Sequence, residues 1–143
     1  MLEQEFIQSL LDKQLYYVRK YDDMELYHFC FNIAGKYSEK SEDCTHILHA
    51  LCRFKVICRK ERKVYTYYED TPIEKYEEGF RKLFGLKISR VGLSEKNDLW
   101  LDFGNGECWV VFSTFEYDEE SWRLFKPHAE QHLVASATCI EWQ

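Results

Sequence analysis

The sequence predicts an α+β fold in one domain spanning residues 1–143: an antiparallel β-sheet of five to seven strands with two helices packed on it as a single layer pair. Three observations lead there. Apolar and polar side chains alternate over long stretches after residue 46, which is the strand period. Polar turns near residues 60–63 and 104–106 join neighbouring strands as hairpins, which makes the pairing antiparallel. The 143 residues contain no linker, repeat or low-complexity run and suffice for one substantial core.

The elements follow in order. Leu2, Phe6, Ile7, Leu10, Leu11 and Val18 recur at helical spacing opposite Glu3, Gln4, Gln8 and Asp12, predicting an amphipathic helix over residues 2–19. Leu26 to Ile33 fits either a helix or a strand, and its aromatic content favours the strand. Gly35 to Asp43 is polar and reads as a loop. From His46 onward Leu48, Ala50, Cys52, Phe54, Val56 and Cys58 alternate without a break against His49, Arg53, Lys55 and Arg59, predicting one long strand. The turn Lys60 to Lys63 brings the chain back as a second strand, Val64 to Glu69. Thr71, Pro72 and Glu74 then supply an N-cap, a first-turn proline and a capping-box carboxylate. Ile73, Tyr76, Phe80, Leu83 and Phe84 form the buried stripe of this second helix, and Gly85 stops it. Leu99 to Phe103 and Cys108 to Phe115 form a hairpin whose second strand is apolar on both faces, so it belongs centrally, covered on both sides. Trp122 to Lys126 and Leu133 to Trp142 complete the sheet. Leu48, Cys52, Phe54, Tyr76, Phe80, Val110 and Phe112 are expected to share one core.

Charge is distributed unevenly. Arg53, Lys55, Arg59, Lys60, Arg62 and Lys63 against Glu61 give residues 53–63 a charge of +5 in a chain of net −6, leaving −11 for the remainder. Aromatic residues are 17% of the chain, enough to furnish a ring-rich core or patch. The six cysteines read as reduced core thiols, because the first residues lack the basic start of an export signal. A cytoplasmic protein is therefore expected. No apolar run approaches the ~18 residues of a membrane helix, so no membrane partner is expected.

The candidate chemistry is thin. Cys44, His46, His49 and Cys52 cluster in sequence, but strand alternation sends His49 away from His46 and Cys52, which opposes tetrahedral metal binding. His128 and His132 lack the adjacent glutamate of a metalloprotease helix, and Cys58, though beside Arg59 and Lys60, lies on the apolar face. No catalytic residue, metal or cofactor is assigned. Two surfaces remain. Glu116, Tyr117, Asp118, Glu119, Glu120 and Trp122 mix carboxylates with large rings, as a surface for a basic protein partner would. Alternatively Arg53, Lys55 and Arg59, with Tyr65 or Tyr67 on the next strand, form a basic and aromatic face for a nucleic acid or nucleotide. The acidic remainder of the molecule disfavours nucleic acid, since it would repel phosphates.

The run Leu99-Trp100-Leu101-Asp102-Phe103-Gly104, followed by Trp109 to Phe112, then Glu120-Ser121-Trp122-Arg123-Leu124-Phe125 and His132-Leu133-Val134, resembles small bacterial immunity-type proteins of polymorphic toxin systems. The resemblance covers about a third of the chain. It implies a compact acidic α+β domain that is not an enzyme and that neutralises a toxin by stoichiometric binding, and it assigns no catalytic position. The expected function is thus occlusion of a basic partner, such as a toxin domain, by the acidic and aromatic surface.

Overall fold

The computed structural model describes residues 2–37, 40–68 and 71–143, with the backbone alone for Asp22, Ser41 and Ile73. The fold is α+β, and its strands form two antiparallel sheets where the sequence suggests one. The elements are α1 (Glu3–Gln8), β1 (Lys13–Tyr21), β2 (Leu26–Ile33), β3 (His46–Ala50), β4 (Arg53–Cys58), β5 (Lys63–Tyr67) and α2 (Ile73–Phe80). After these come β6 (Ile88–Leu93), β7 (Leu99–Phe103), β8 (Cys108–Ser113), β9 (Trp122–Phe125), β10 (Leu133–Ala135) and β11 (Ile140–Trp142). The six-stranded sheet runs β1-β2-β3-β9-β10-β11 and the five-stranded sheet β5-β4-β8-β7-β6.

The sheets face each other across an aromatic core. Phe29 of the first meets Phe54 and Phe112 of the second edge-on, at centroid distances of 5.3 and 5.2 Å. Leu48, Cys52, Phe54, Phe80, Val110 and Phe112 are buried in this one cluster, and Tyr76 packs against it, as expected.

The long strand from His46 to Cys58 is in fact β3 and β4, one in each sheet. At the crossing the backbone N–H groups of Leu51 and Cys52 both donate to the Ser121 carbonyl, at 2.9 and 3.1 Å. Leu48, Ala50, Cys52 and Phe54 all lie in the core cluster. A chain that steps from one wall of a sandwich to the other keeps the same side inward, so the alternation carries no trace of the break.

The N-terminal segment is helical only over Glu3–Gln8, and from Lys13 it is an edge strand. Tertiary pairing overrides the helical spacing there: Asp12 N–H donates to the Ile88 carbonyl at 2.9 Å and Gln14 bridges Lys87. The start of β1 thus meets the start of β6 through this bond and bridge.

In α2, Pro72 is the N-cap residue, and the Thr71 hydroxyl accepts from Tyr68 N–H at 2.6 Å instead of capping the helix. Leu83 is buried in the following turn, whereas Phe84 is 41% exposed. The Ile73 side chain and Glu69 lie outside the described residues.

Both helices pack against the core between the sheets. Helix α1 sends Phe6 against His46 and Trp142, and α2 stacks Phe80 over Tyr67 and Tyr76 over Tyr27. Phe6, Ile7 and Phe80 thereby join the shared core. Strand β8 is central, as expected, but only its Cys108–Val110–Phe112 side is covered. Cys139, expected in the core, is exposed, and the other five cysteines are buried. Among the described residues no helix is long and apolar enough to cross a membrane.

Candidate functional site

The acidic loop follows β8 and is tied down along its length. Thr114 donates through N–H and Oγ1 to Asp98 Oδ1, at 2.7 and 2.9 Å. Phe115 N–H donates to Ser121 Oγ at 3.0 Å. Asp118 Oδ1 accepts from Ser136 Oγ at 2.5 Å and Thr138 Oγ1 at 2.6 Å, and these two hydroxyls hold its carboxyl below the usual carboxylate range. The loop is a preorganised presentation of charge.

Within it the six expected partner-binding residues separate. Glu116, Tyr117, Asp118 and Glu119 are exposed, Tyr117 at 57%, with its ring stacked on Phe115 at 5.3 Å. Glu120 turns back: its carboxylate takes a bidentate pair from Arg123, Nη2 at 2.5 Å and Nε at 2.8 Å, and is half-buried. Trp122 is fully buried and donates its indole N–H to the Asn97 carbonyl at 2.9 Å, so it belongs to the core and not to a partner surface. The reason is register: Trp122 pairs with Ala50 and Ala135 on the inner face of its sheet.

Beside the loop opens a cleft of about 920 Å³ at the β3–β4 crossing. Phe115, Glu116 and Tyr117 form one wall, and Arg53, Tyr68, Tyr27, Lys20 and Glu25 contribute to the others. Arg53 lies over the Tyr68 ring at 4.8 Å, a cation–π contact. The cleft brings together Arg53 of the basic strand and the acidic loop, which the sequence reading kept apart.

The alternative site also rearranges. Arg53, Lys55 and Arg59 are exposed as expected. Tyr65 and Tyr67 are 9% and 1% exposed, because they alternate onto the inner face, and no base can stack on them. The rings that share the outer face with Lys55 are Trp100 and Trp109. Lys55 pairs with Val111 and Val111 with Trp100, while Ile57 pairs with Trp109 and Trp109 with Asp102. The two indoles sit 5.3 Å apart, both half-buried, and Arg90 lies over Trp109 at 5.1 Å. Gly92 makes room for Trp100, since a Cβ there would come within 2.5 Å of its ring. The apolar outward residues of β8 were a sequence signal for this face, read as a covered surface.

The Cys44–Cys52 segment forms no common centre. His46 points inward, bonded to Ser9 Oγ at 2.8 Å and Thr45 Oγ1 at 2.9 Å, whereas His49 points outward to His28, ring nitrogens 2.8 Å apart. Burial, helped by Lys13 and Lys126, lowers His46 to about 4. Burial, with His28 and Arg123, lowers His49 to about 4. On the same outer face Arg123 donates to His132 Nδ1 at 2.9 Å, and His132 stacks on Phe125. His128 is exposed in a turn, so the two C-terminal histidines do not pair. Cys30, beside His28 Nε2 at 3.1 Å, is drawn down by its hydrogen bond with Cys44 and by His28, but it is fully enclosed and unable to meet a substrate. Burial pushes the Cys58 thiol up, which leaves it a poor nucleophile. Among the described residues no group of three or more His, Cys, Asp and Glu is arranged to hold a metal ion.

Comparison of the chain with protein-family models, with curated proteins and with solved structures returns no match.

Proposed function

We propose that this protein is a non-enzymatic binding protein of the immunity type that occludes a basic protein partner, a toxin domain being the partner class its resemblance implies. One observation carries the reading: Glu116, Tyr117, Asp118 and Glu119 are exposed together on a loop whose conformation is already fixed. A loop that needs no ordering keeps more of its contact energy as affinity. Clustered carboxylates speed encounter with a cationic surface, and Tyr117 supplies the ring area that anchors such contacts. The adjoining cleft adds aromatic walls beside the loop, its charges mixed between Glu25 and Glu116 and Lys20 and Arg53.

Glu116→Lys with Glu119→Lys is expected to slow association by about 10- to 100-fold at low salt, while the Asp118 anchor and the fold persist. The measurement is stopped-flow association with a basic toxin domain of a polymorphic toxin system at two salt concentrations. An unchanged rate and unchanged salt dependence, or no association at all, would defeat the reading.

The outer face of the five-stranded sheet supports a second reading, a single-stranded nucleic-acid binder, because Arg53 and Lys55 share it with Trp100 and Trp109. On this reading, filter binding of mixed single strands weakens with rising salt and is lost in Arg53→Glu/Lys55→Glu and in Trp100→Ala. Equal retention by the unmodified chain and these variants removes it.

A further inference from the structure

Cys58 and Cys108 are direct partners across the β4–β8 ladder. The next pair, Arg59 and Glu107, is hydrogen-bonded, Arg59 N–H donating to the Glu107 carbonyl at 3.1 Å. Pairs alternate along an antiparallel ladder, so Cys58 and Cys108 occupy a non-hydrogen-bonded position, where Cα atoms come within about 4.5 Å and side chains are closest. That separation lies at the near end of what a disulfide spans. The two sulfurs are 3.6 Å apart, and both side chains are buried at the end of their strands.

We propose that Cys58 and Cys108 are a disulfide-forming pair, closed by exchange with a small-molecule disulfide such as oxidised glutathione. In the first step one protein thiol, as its thiolate, attacks a glutathione sulfur; the glutathione S–S bond breaks and one glutathione leaves. In the second, the other cysteine attacks the mixed disulfide and displaces the second glutathione. Two protein thiols are oxidised, one glutathione disulfide is reduced to two thiols, and the two protons pass to the departing glutathiones. Burial raises both protein thiols, Cys108 to about 12, so the native pair is a slow nucleophile that closes at equilibrium and not a rapid peroxide sensor. The cross-link joins positions 50 residues apart, which removes substantial freedom from the unfolded chain. It would also pin the strand end from which the basic turn, Arg59 to Arg62, departs. The reduced state expected for all six cysteines would then be a property of the compartment and not of the fold.

The test refolds the full reduced chain in a glutathione redox buffer, so that burial does not block access, and maps the product by mass spectrometry after alkylation. The expected product has lost two hydrogens, carries a linked Cys58–Cys108 peptide, and melts roughly 5 to 10 °C above the reduced protein. Cys58→Ala and Cys108→Ala each abolish the link. The unmodified protein suffices if either variant fails to fold, because its oxidised and reduced forms are compared directly. The proposal is overturned if the refolded chain keeps both thiols alkylatable, holds glutathione on them without closing, or links only Cys30 to Cys44.

Discussion

Replacing Phe54 with alanine is expected to cost about 3 to 5 kcal/mol of stability. The side chain is fully buried and stands at the junction of both sheets and α2. It stacks on Tyr67 at 4.8 Å and Phe80 at 5.9 Å, and it touches Tyr27, Phe29 and Phe112 at 4.9 to 5.3 Å. Five rings contributed by four other segments cannot all collapse into the space a benzyl group leaves, so the cavity term adds to the lost transfer energy. Phe80→Ala should behave alike, and the double variant should lose less than the sum, because the two rings share contacts. Urea titrations compare the midpoints, with the slope as a check that the denatured state is unchanged. A loss below about 1 kcal/mol for both single variants would contradict the packing of the sheets.

Acidification from pH 6.5 to pH 4 is expected to remove about 3 kcal/mol of stability through His46 alone. Both ring nitrogens face hydroxyls, Nε2 that of Ser9 at 2.8 Å and Nδ1 that of Thr45 at 2.9 Å, and these hydroxyls have the Phe6 and Phe31 carbonyls as further acceptors. Burial favours the neutral imidazole in this setting. The folded-state value, about 4, lies below the ordinary 6.5, so the unfolded chain binds the proton more readily. The contribution is whole above pH 6.5 and lost as pH falls toward 4. His49, lowered for the same reason and half-buried, acts in the same direction. Unfolding free energies of the unmodified protein and His46→Gln, measured from pH 7 to pH 4.5, provide the test. The difference between them should shrink as pH falls, and a constant difference would show that His46 does not titrate as the burial implies.

Local signals read best where the chain stays in one environment. The β4–β5 and β7–β8 hairpins, the strand at Leu26–Ile33 and the shared core follow from alternation, aromatic content and turn residues, all set within a few positions. Residues 10–21 misled, because helical spacing of Leu10, Leu11 and Val18 is a weak preference beside the antiparallel ladder that pairs Lys13–Tyr21 with β2. Of the acidic loop, composition identified the exposed Glu116, Tyr117, Asp118 and Glu119. It did not distinguish Glu120 and Trp122, whose places depend on Arg123 and on strand register.

The sequence by itself determined the α+β class, the antiparallel pairing, the aromatic core and the position of the charged segments, because each depends on periodicity or on residue type alone. Only the tertiary structure decided that the strands form two sheets, that Cys58 faces Cys108, and that Trp100 and Trp109, in place of Tyr65 and Tyr67, share the face of Lys55. The physical reason is common to all three. A strand's inward side is written in its own alternation, but which neighbour lies beside it is settled by pairing between residues distant in the chain.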